Sequence, residues 1–227
     1  MSVFDFFSMR KQPAHSFTDA ARLKQLTKDQ KYADHLLLPL EKVPAVVFDL
    51  ETTGFRPEKG DEILSIGAVN LKTEKEFYSL VRTEKTIPLE VTQLTHISEA
   101  DTKEAPPAGE VMQDFFSFAE GSTLIAHHAA HEKSFLQHLL RRRFGSSFTH
   151  RLIDTSFVAS ILPEMEGAFH LEDCCSVYDI ACPSRHHALE DARVTAALWQ
   201  CMMKAATREQ LFTLKDIYSA AAGRRRG

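Results

Sequence analysis

Two acidic residues, Asp49 and Glu51, stand two positions apart at the end of the apolar run VPAVVF, which begins at Val43. The β-branched and aromatic residues of that run predict a buried strand. Because side chains alternate between the faces of a strand, both carboxylates should point the same way, about 6–7 Å apart. Two like charges at the rim of a core are costly unless a cation compensates them, and oxygen ligands suit Mg²⁺ or Mn²⁺. A pair of solvated carboxylates at a strand end is the plainer alternative, and the spacing alone does not decide between the two.

Three further segments with acidic or histidine residues fall where strands are predicted to end and helices to begin. The run LIAHHAAHEKSFL puts Glu132 in the first turn of a helix that follows a short strand. The run HHALEDA puts His186 just before a helix and Asp191 one turn inside it. The run LIDT places Asp154 at a strand end, where it should cap the next helix. Acidic residues are common in the first turn of helices because they suit the helix dipole, so none of these segments is decisive alone.

Length and composition describe a globular, soluble chain of ordinary domain size. It has 227 residues, of which 44% are hydrophobic and 26% charged, and its net charge is -4. Without a global excess of basic residues, any contact with nucleic acid must rely on local patches. We expect neither a secretion signal nor a membrane span, because no apolar stretch is long enough. The four cysteines form no C-x-x-C pair, which favours reduced thiols and a cytoplasmic location.

The elements that must position the acidic residues follow one order along the chain. Residues 1–42 are predicted to form a short helical N-terminal extension, and residues 43–227 the main domain. A three-strand meander followed by alternating strands and helices predicts an α/β fold, with a mixed sheet flanked by helices. The first predicted strand starts at residue 43, and four further strands span 62–71, 76–81, 124–126 and 152–153. The main predicted helices span 88–94, 110–119, 132–143, 171–177 and 188–206.

Taken together and in this order, DLETTGF, HHAAHEKSFL and HHALEDA resemble the motifs of the DEDD-type 3′–5′ exonucleases. The resemblance is to the subgroup with a histidine in the third motif, to which the proofreading epsilon subunits of bacterial replicative DNA polymerases belong. It covers residues 43–205 and implies an RNase H-like fold with a five-stranded mixed sheet.

The resemblance also implies roles for particular side chains. Asp49, Glu51, Glu132 and Asp191 match the four acidic ligands of two divalent ions, Mg²⁺ or Mn²⁺. His186 matches the histidine that activates the attacking water. The resemblance implies a catalytic role for Glu51 as well. The residues implied near the terminal nucleotide of the substrate are Thr52, Leu64, His96 and Ile97, although a plain core role for Leu64 is as good an interpretation.

The implied activity is hydrolysis of phosphodiester bonds at the 3′ ends of single-stranded DNA, releasing nucleoside 5′-monophosphates in repair or proofreading. RNA is the alternative substrate, because no residue is marked as a reader of the 2′-hydroxyl. A polymerase or another replication or repair protein is the expected partner, through the extension of residues 1–42. The arginines 141–143, far along a predicted helix, are expected to form a solvated face.

One residue departs from the pattern of the family. The second motif usually carries aspartate where this chain has Glu132, which adds a methylene and about 1.5 Å of reach. An ion such as Mg²⁺ demands near-octahedral geometry, so the longer side chain must be accommodated locally. We interpret Glu132 as a variant ligand. The alternative is an RNase H-like module that binds nucleic acid with weak or no catalysis.

Overall fold

The computed structural model of the chain describes residues 34–182 and 186–224. The helices expected in the extension lie almost wholly outside these ranges, so a separate helical extension over residues 1–42 stays a prediction. The described part of that stretch packs on the main domain. Leu40 is buried, its amide donates to the carbonyl of Phe212 (2.9 Å), and the amide of Lys215 donates to the carbonyl of Leu36 (3.0 Å).

Five strands form one mixed sheet in the order β3-β2-β1-β4-β5. The pairs β1–β2 and β2–β3 are antiparallel, whereas β1–β4 and β4–β5 are parallel. This confirms the predicted α/β fold with a five-stranded mixed sheet. The strands are β1 Ala45–Thr52, β2 Ile63–Asn70, β3 Glu76–Leu80, β4 Thr123–Ala126 and β5 Leu152–Asp154.

Helices cover both faces of the sheet. Within the described ranges they are α1 Leu89–Thr95, α2 Glu99–Lys103, α3 Ala108–Phe118, α4 Ala130–Phe144, α5 Thr155–Ala159, α6 Leu171–Val177, α7 Ala188–Arg208 and α8 Leu214–Arg224. Three short 3₁₀ turns lie at Leu40–Lys42, Pro57–Lys59 and Pro163–Met165. No helix in this part of the chain combines the length and apolar character needed to cross a bilayer.

The alternation of side chains along β1 separates two apolar layers. Val46 and Phe48 lie in the layer that contains α3 and α4, whereas Val47 lies in the layer that contains α6, α7 and α8. Asp49 and Glu51 continue the odd-numbered positions of Val47. The strand period therefore places both acidic residues on the α7 side of the sheet, beyond the end of its apolar layer.

Helix α7 begins in very close contact with the sheet. Gly67 on β2 pairs with Asp49 on β1, and a Cβ atom added to Gly67 would lie 2.2 Å from the amide nitrogen of Leu189 and 2.3 Å from the carbonyl carbon of Ala188. Only a residue without a side chain leaves room for the backbone of the helix here. The start of α7 is thereby set directly over the strand pair that carries the acidic residues.

Candidate active site

The two acidic residues of β1 lie at the end of the strand where the pairing becomes irregular. Glu51 is buried and pairs with Ser65, whereas Asp49 is half-buried. A shift in register follows between Glu51 and Thr52. Such bulges redirect side chains at the ends of strands, and they are frequent beside active sites.

The start of α7 and the residue before its N-cap contribute two more of the predicted residues. The amide of His186, a residue in the left-handed region (φ 66°), donates to Oδ2 of Asp191 (2.8 Å). His187 is the N-cap residue, and its Nδ1 accepts a long hydrogen bond from the amide of Glu190 (3.4 Å). Asp191 is buried and His186 is half-buried. The local fold therefore ties the carboxylate of Asp191 to the main chain of His186.

Three predicted residues meet in space. One carboxylate oxygen each from Glu51 and Asp191 and one ring nitrogen of His186 all lie within 4.8 Å of one another. Across the described ranges, this is the one group of three or more His, Cys, Asp or Glu side chains close enough to share a metal ion. Asp49 and Glu132 are not members of this group, although Asp49 shares a strand face with Glu51.

Glu132 lies in the first turn of α4 and is almost wholly buried, with 4% of its surface exposed. Its Oε2 atom accepts no hydrogen bond from any described residue. Burial, assisted by the negative charges of Asp154 and Glu51, raises the pKa of Glu132 to about 8. A cation would offset these negative charges and remove the need for a proton. Together with the carboxylates nearby, this buried oxygen makes a donor set that suits Mg²⁺ or Mn²⁺.

Asp154 orders the turn that leads into α4. The sequence predicts that it caps the following helix, and its Oδ1 does accept from the amide of Ser156 (2.9 Å). It also accepts from the amides of His128 (3.0 Å) and Ala129 (3.1 Å), and His128 has a left-handed backbone (φ 55°). This second role was missed, because no local pattern signals a contact between two distant loops.

His131, one residue before Glu132, lies against the end of β1. Its Nε2 is 3.3 Å from the hydroxyl of Thr52, which donates to the carbonyl of Gly54 (2.7 Å). The ring packs against Phe135, with 4.9 Å between ring centroids, and meets the edge of Phe55 at 5.7 Å. Burial lowers the pKa of His131 and so favours the neutral imidazole. Phe55 itself is 85% exposed.

The residues predicted to contact substrate have contrasting environments. Leu64 and Ile97 are buried together with Ile87 in a small apolar cluster. His96 is exposed and ends α1 in a left-handed conformation (φ 58°). Thr52 is half-buried beside His131. Contact of these four residues with substrate stays a prediction, and the burial of Leu64 matches the core role that the sequence left open.

Contacts between α7 and β3 were also missed by the sequence reasoning. The rings of Tyr78 and His187 stack, with centroids 4.9 Å apart and planes 16° from parallel. Six residues further along the chain, Arg193 forms ion pairs with Glu76 on β3 (2.6 Å) and with Glu190 (2.5 Å). These contacts hold the start of the helix, which carries the metal-ligand candidates, onto the edge of the sheet.

Comparisons with known proteins agree with this geometry. The model of an exonuclease family matches residues 46–199. A "DNA polymerase III subunit epsilon-like protein" of Rhodobacter capsulatus is 35% identical over 168 residues, which are 70% of this chain and 23% of that protein. The chain therefore spans less than a quarter of the length of this relative. The "DNA polymerase III subunit epsilon" of Rickettsia typhi is 32% identical over 166 residues, covering 68% of this chain and 71% of that protein.

A solved structure shares the fold. It is described as the nuclease domain of 3'hExo, a DEDDh family member, bound to rAMP. The TM-score is 0.59 at 18% identity, and the match covers 70% of this chain and 91% of that one. The chain belongs to the exonuclease family, which confirms the predicted exonuclease domain, and it shares its fold with a DEDDh family member.

Proposed function

We propose that this member of the exonuclease family hydrolyses phosphodiester bonds at the 3′ ends of single-stranded DNA and releases nucleoside 5′-monophosphates. The convergence of Glu51, His186 and Asp191 within 4.8 Å, beside the buried Glu132, is the observation that carries the proposal. The names of the bacterial relatives support DNA as the substrate and a replication or repair protein as the partner. RNA 3′ ends are the alternative substrate, since the solved DEDDh relative binds rAMP.

In this proposal Asp49, Glu51, Glu132 and Asp191 hold two divalent cations, Mg²⁺ or Mn²⁺. Such ions lower the pKa of the attacking water and offset the charge that develops on the leaving 3′ oxygen. The buried Oε2 of Glu132 and the facing carboxylates of β1 and α7 support this assignment. In this proposal the longer side chain of Glu132 reaches the ions from its buried position in the first turn of α4.

His186 is the proposed base that takes the proton from the attacking water. An imidazole accepts protons readily near neutral pH. The hydrogen bond from its own amide to Asp191 keeps the residue beside the acidic side chains. Because the side chain is half-buried, it remains accessible to solvent and to a bound phosphodiester.

The frayed 3′ end needs a surface that accepts any base. Phe55, which is 85% exposed and touches His131, offers a π-face beside the end of β1. Stacking of this kind is insensitive to sequence. We also keep Thr52, Leu64, His96 and Ile97 as proposed neighbours of the terminal nucleotide, with Leu64 and Ile97 buried in an apolar cluster of their own.

The test is incubation of a 5′-labelled single-stranded DNA with Mg²⁺ or Mn²⁺, alongside an RNA of the same sequence. A ladder that shortens from the 3′ end, and that disappears on chelation, is expected. His186→Ala should slow turnover strongly while Mn²⁺ binding, measured by calorimetry, stays nearly intact, whereas Asp191→Asn should weaken both. Endonucleolytic cuts would contradict the proposal. Binding of DNA without any cleavage would favour the alternative of a catalytically silent module.

A further inference from the structure

A cavity of about 350 Å³ lies between α4, the loop that follows β1 and the segment after β3. We call it the basic pocket, because most of the charged side chains that line it are cationic. The basic residues of its lining are Arg82, Lys85, His138, Arg142 and Arg143. The arginines of α4 were predicted to form a solvated face. They are exposed, but two of the three border this cavity.

The carboxylates that share the pocket are engaged within the protein. Oδ2 of Asp61 accepts from the amide of Arg56 (2.8 Å), and Oε2 of Glu62 accepts from the hydroxyl of Thr83 (2.5 Å). The arginine and lysine side chains outnumber these carboxylates two to one. The pocket therefore carries a surplus of positive charge, which is unusual on a chain with net charge -4.

The cations are not satisfied by acidic partners. Neither Arg82, Lys85, Arg142 nor Arg143 forms an ion pair with any residue inside the described ranges. Two of them are positioned by main-chain oxygens: Nε of Arg82 donates to the carbonyl of Ala105 (2.9 Å), and the ammonium of Lys85 donates to the carbonyl of Gly60. The main chain thus sets the positions of Arg82 and Lys85, and their charges stay exposed and available to an anionic ligand.

The basic pocket is connected through shared elements to the four proposed metal-binding carboxylates, Asp49, Glu51, Glu132 and Asp191, which we call the acidic cluster. Helix α4 carries Glu132 in its first turn and Arg142 and Arg143 in its last, so they are about 15 Å apart along the axis. The loop beginning at Gly54 links the end of β1 to the pocket. At about 3.4 Å per nucleotide of a stacked strand, this separation corresponds to four or five nucleotides.

We propose that the basic pocket binds backbone phosphates of the nucleic-acid strand, four or five nucleotides from the 3′ end held by the acidic cluster. Arginine presents a planar fork that matches phosphate oxygens, and two adjacent arginines can follow successive phosphates. This inference rests on the proposed function, because it assumes that the acidic cluster holds the 3′ end. A free nucleotide would offer the same chemistry, so the test includes one.

Binding of labelled single-stranded oligonucleotides is measured with Ca²⁺ in place of Mg²⁺ or Mn²⁺, so that oxygen ligands of the acidic cluster are occupied while nothing is cleaved. The variant is Arg142→Gln with Arg143→Gln. Its affinity for an oligonucleotide of about twelve nucleotides, relative to that for a trinucleotide, should fall about tenfold. Losing two phosphate contacts lowers the slope of log affinity against log salt by about 1.4. Between about 50 and 200 mM salt, the affinity of the unaltered chain should therefore fall about sevenfold more than that of the variant.

The matched control is Arg141→Gln, a neighbouring arginine that does not line the pocket. It should keep the length preference and the salt slope of the unaltered chain. Unfolding midpoints of all variants are compared, so that a folding defect is not taken for a binding defect.

Three results would overturn the proposal: an unchanged length preference in the double variant, an equal loss in the Arg141→Gln control, or competition by a nucleoside 5′-monophosphate that depends on Arg142 and Arg143. Because binding is read without cleavage, a chain that fails to hydrolyse the trinucleotide with Mn²⁺ would count against the proposed function alone. Loss of the length preference in the double variant would still support the pocket.

Discussion

Replacing Gly67 with alanine should damage catalysis by moving a helix and not by touching a catalytic residue. The added Cβ would lie 2.2 Å from the amide nitrogen of Leu189 and 2.3 Å from the carbonyl carbon of Ala188. Non-bonded carbon atoms pack at about 3.5–4.0 Å, so the start of α7 must retreat by about 1–1.5 Å. The opposing atoms belong to the backbone and cannot rotate away, so the helix as a whole has to shift.

This shift reaches the candidate site because Asp191 lies in the first turn of α7 and accepts a hydrogen bond from the amide of His186, which directly precedes the N-cap. A misplacement of about 1 Å in a catalytic array can cost about 100-fold in rate. Overpacking of this kind destabilises a protein by about 1–3 kcal/mol, which should leave the chain folded. We therefore expect Gly67→Ala to lower single-turnover hydrolysis of single-stranded DNA about 100-fold, with a modest loss of stability in urea.

Gly223→Ala is the matched control. Gly223 lies in α8, where an added Cβ would meet no atom within 4 Å. Alanine is favoured over glycine in a helix by about 1 kcal/mol, so this variant should be at least as stable and equally active. A folded Gly67→Ala protein with full turnover would refute the reasoning, since it would show that the close approach of α7 does not set the positions of His186 and Asp191.

Three other perturbations have defined signs. Glu132 has a pKa of about 8 in the folded chain and near 4.5 when exposed, so its contribution to stability is complete below pH 4.5 and is lost as pH rises through 8. Glu132→Gln should flatten this decline of the unfolding free energy, measured with urea in the presence of EDTA. An unaltered pH profile in the variant would contradict the prediction. Burial against Phe116 lowers the pKa of His150 to about 4, so stability is lost as pH falls below 6.5; His150→Phe should recover about 2 kcal/mol at pH 5 relative to pH 7.5, measured in the same assay. Removing the ring of Tyr78 with alanine should cost about 1 kcal/mol and lower turnover, whereas Tyr78→Phe should not; a double-mutant cycle with His187→Asn isolates the stacking energy.

The parts of the fold that follow from local periodicity were predictable. Alternation along the run from Val43 places β1 and sets both acidic residues on one face, and the structure agrees. The strand begins at Ala45 because Pro44 has no amide to donate to a neighbouring strand. Likewise, the start of α7 follows from its first-turn acidic residues, and its N-cap is His187.

What could not be predicted depends on contacts between distant segments. From the sequence alone, Gly67 is only a residue of low strand propensity. The crossing of α7 over β2 shows why no side chain fits there. Arg142 reads as a solvated helix residue, because nothing local brings Arg82 and Lys85 to the same cavity. The stacking of Tyr78 on His187 joins elements that are far apart in the chain, so no local sequence pattern predicts it.

The carboxylates of the site differ in what compensates their negative charge, and Glu132 is the exception among them. Buried carboxylates persist only when each is compensated. Asp154 is compensated by the amides of His128 and Ala129, and Asp191 by the amide of His186. A main-chain hydrogen bond lowers the pKa of Glu132, but burial outweighs it and no donor within the described ranges reaches Oε2, so a proton or a cation completes its compensation. A divalent ion that binds Glu132 must displace this proton. The protonation state of Glu132 therefore affects metal binding more than the length of its side chain does. Metal affinity should therefore rise with pH until about pH 8.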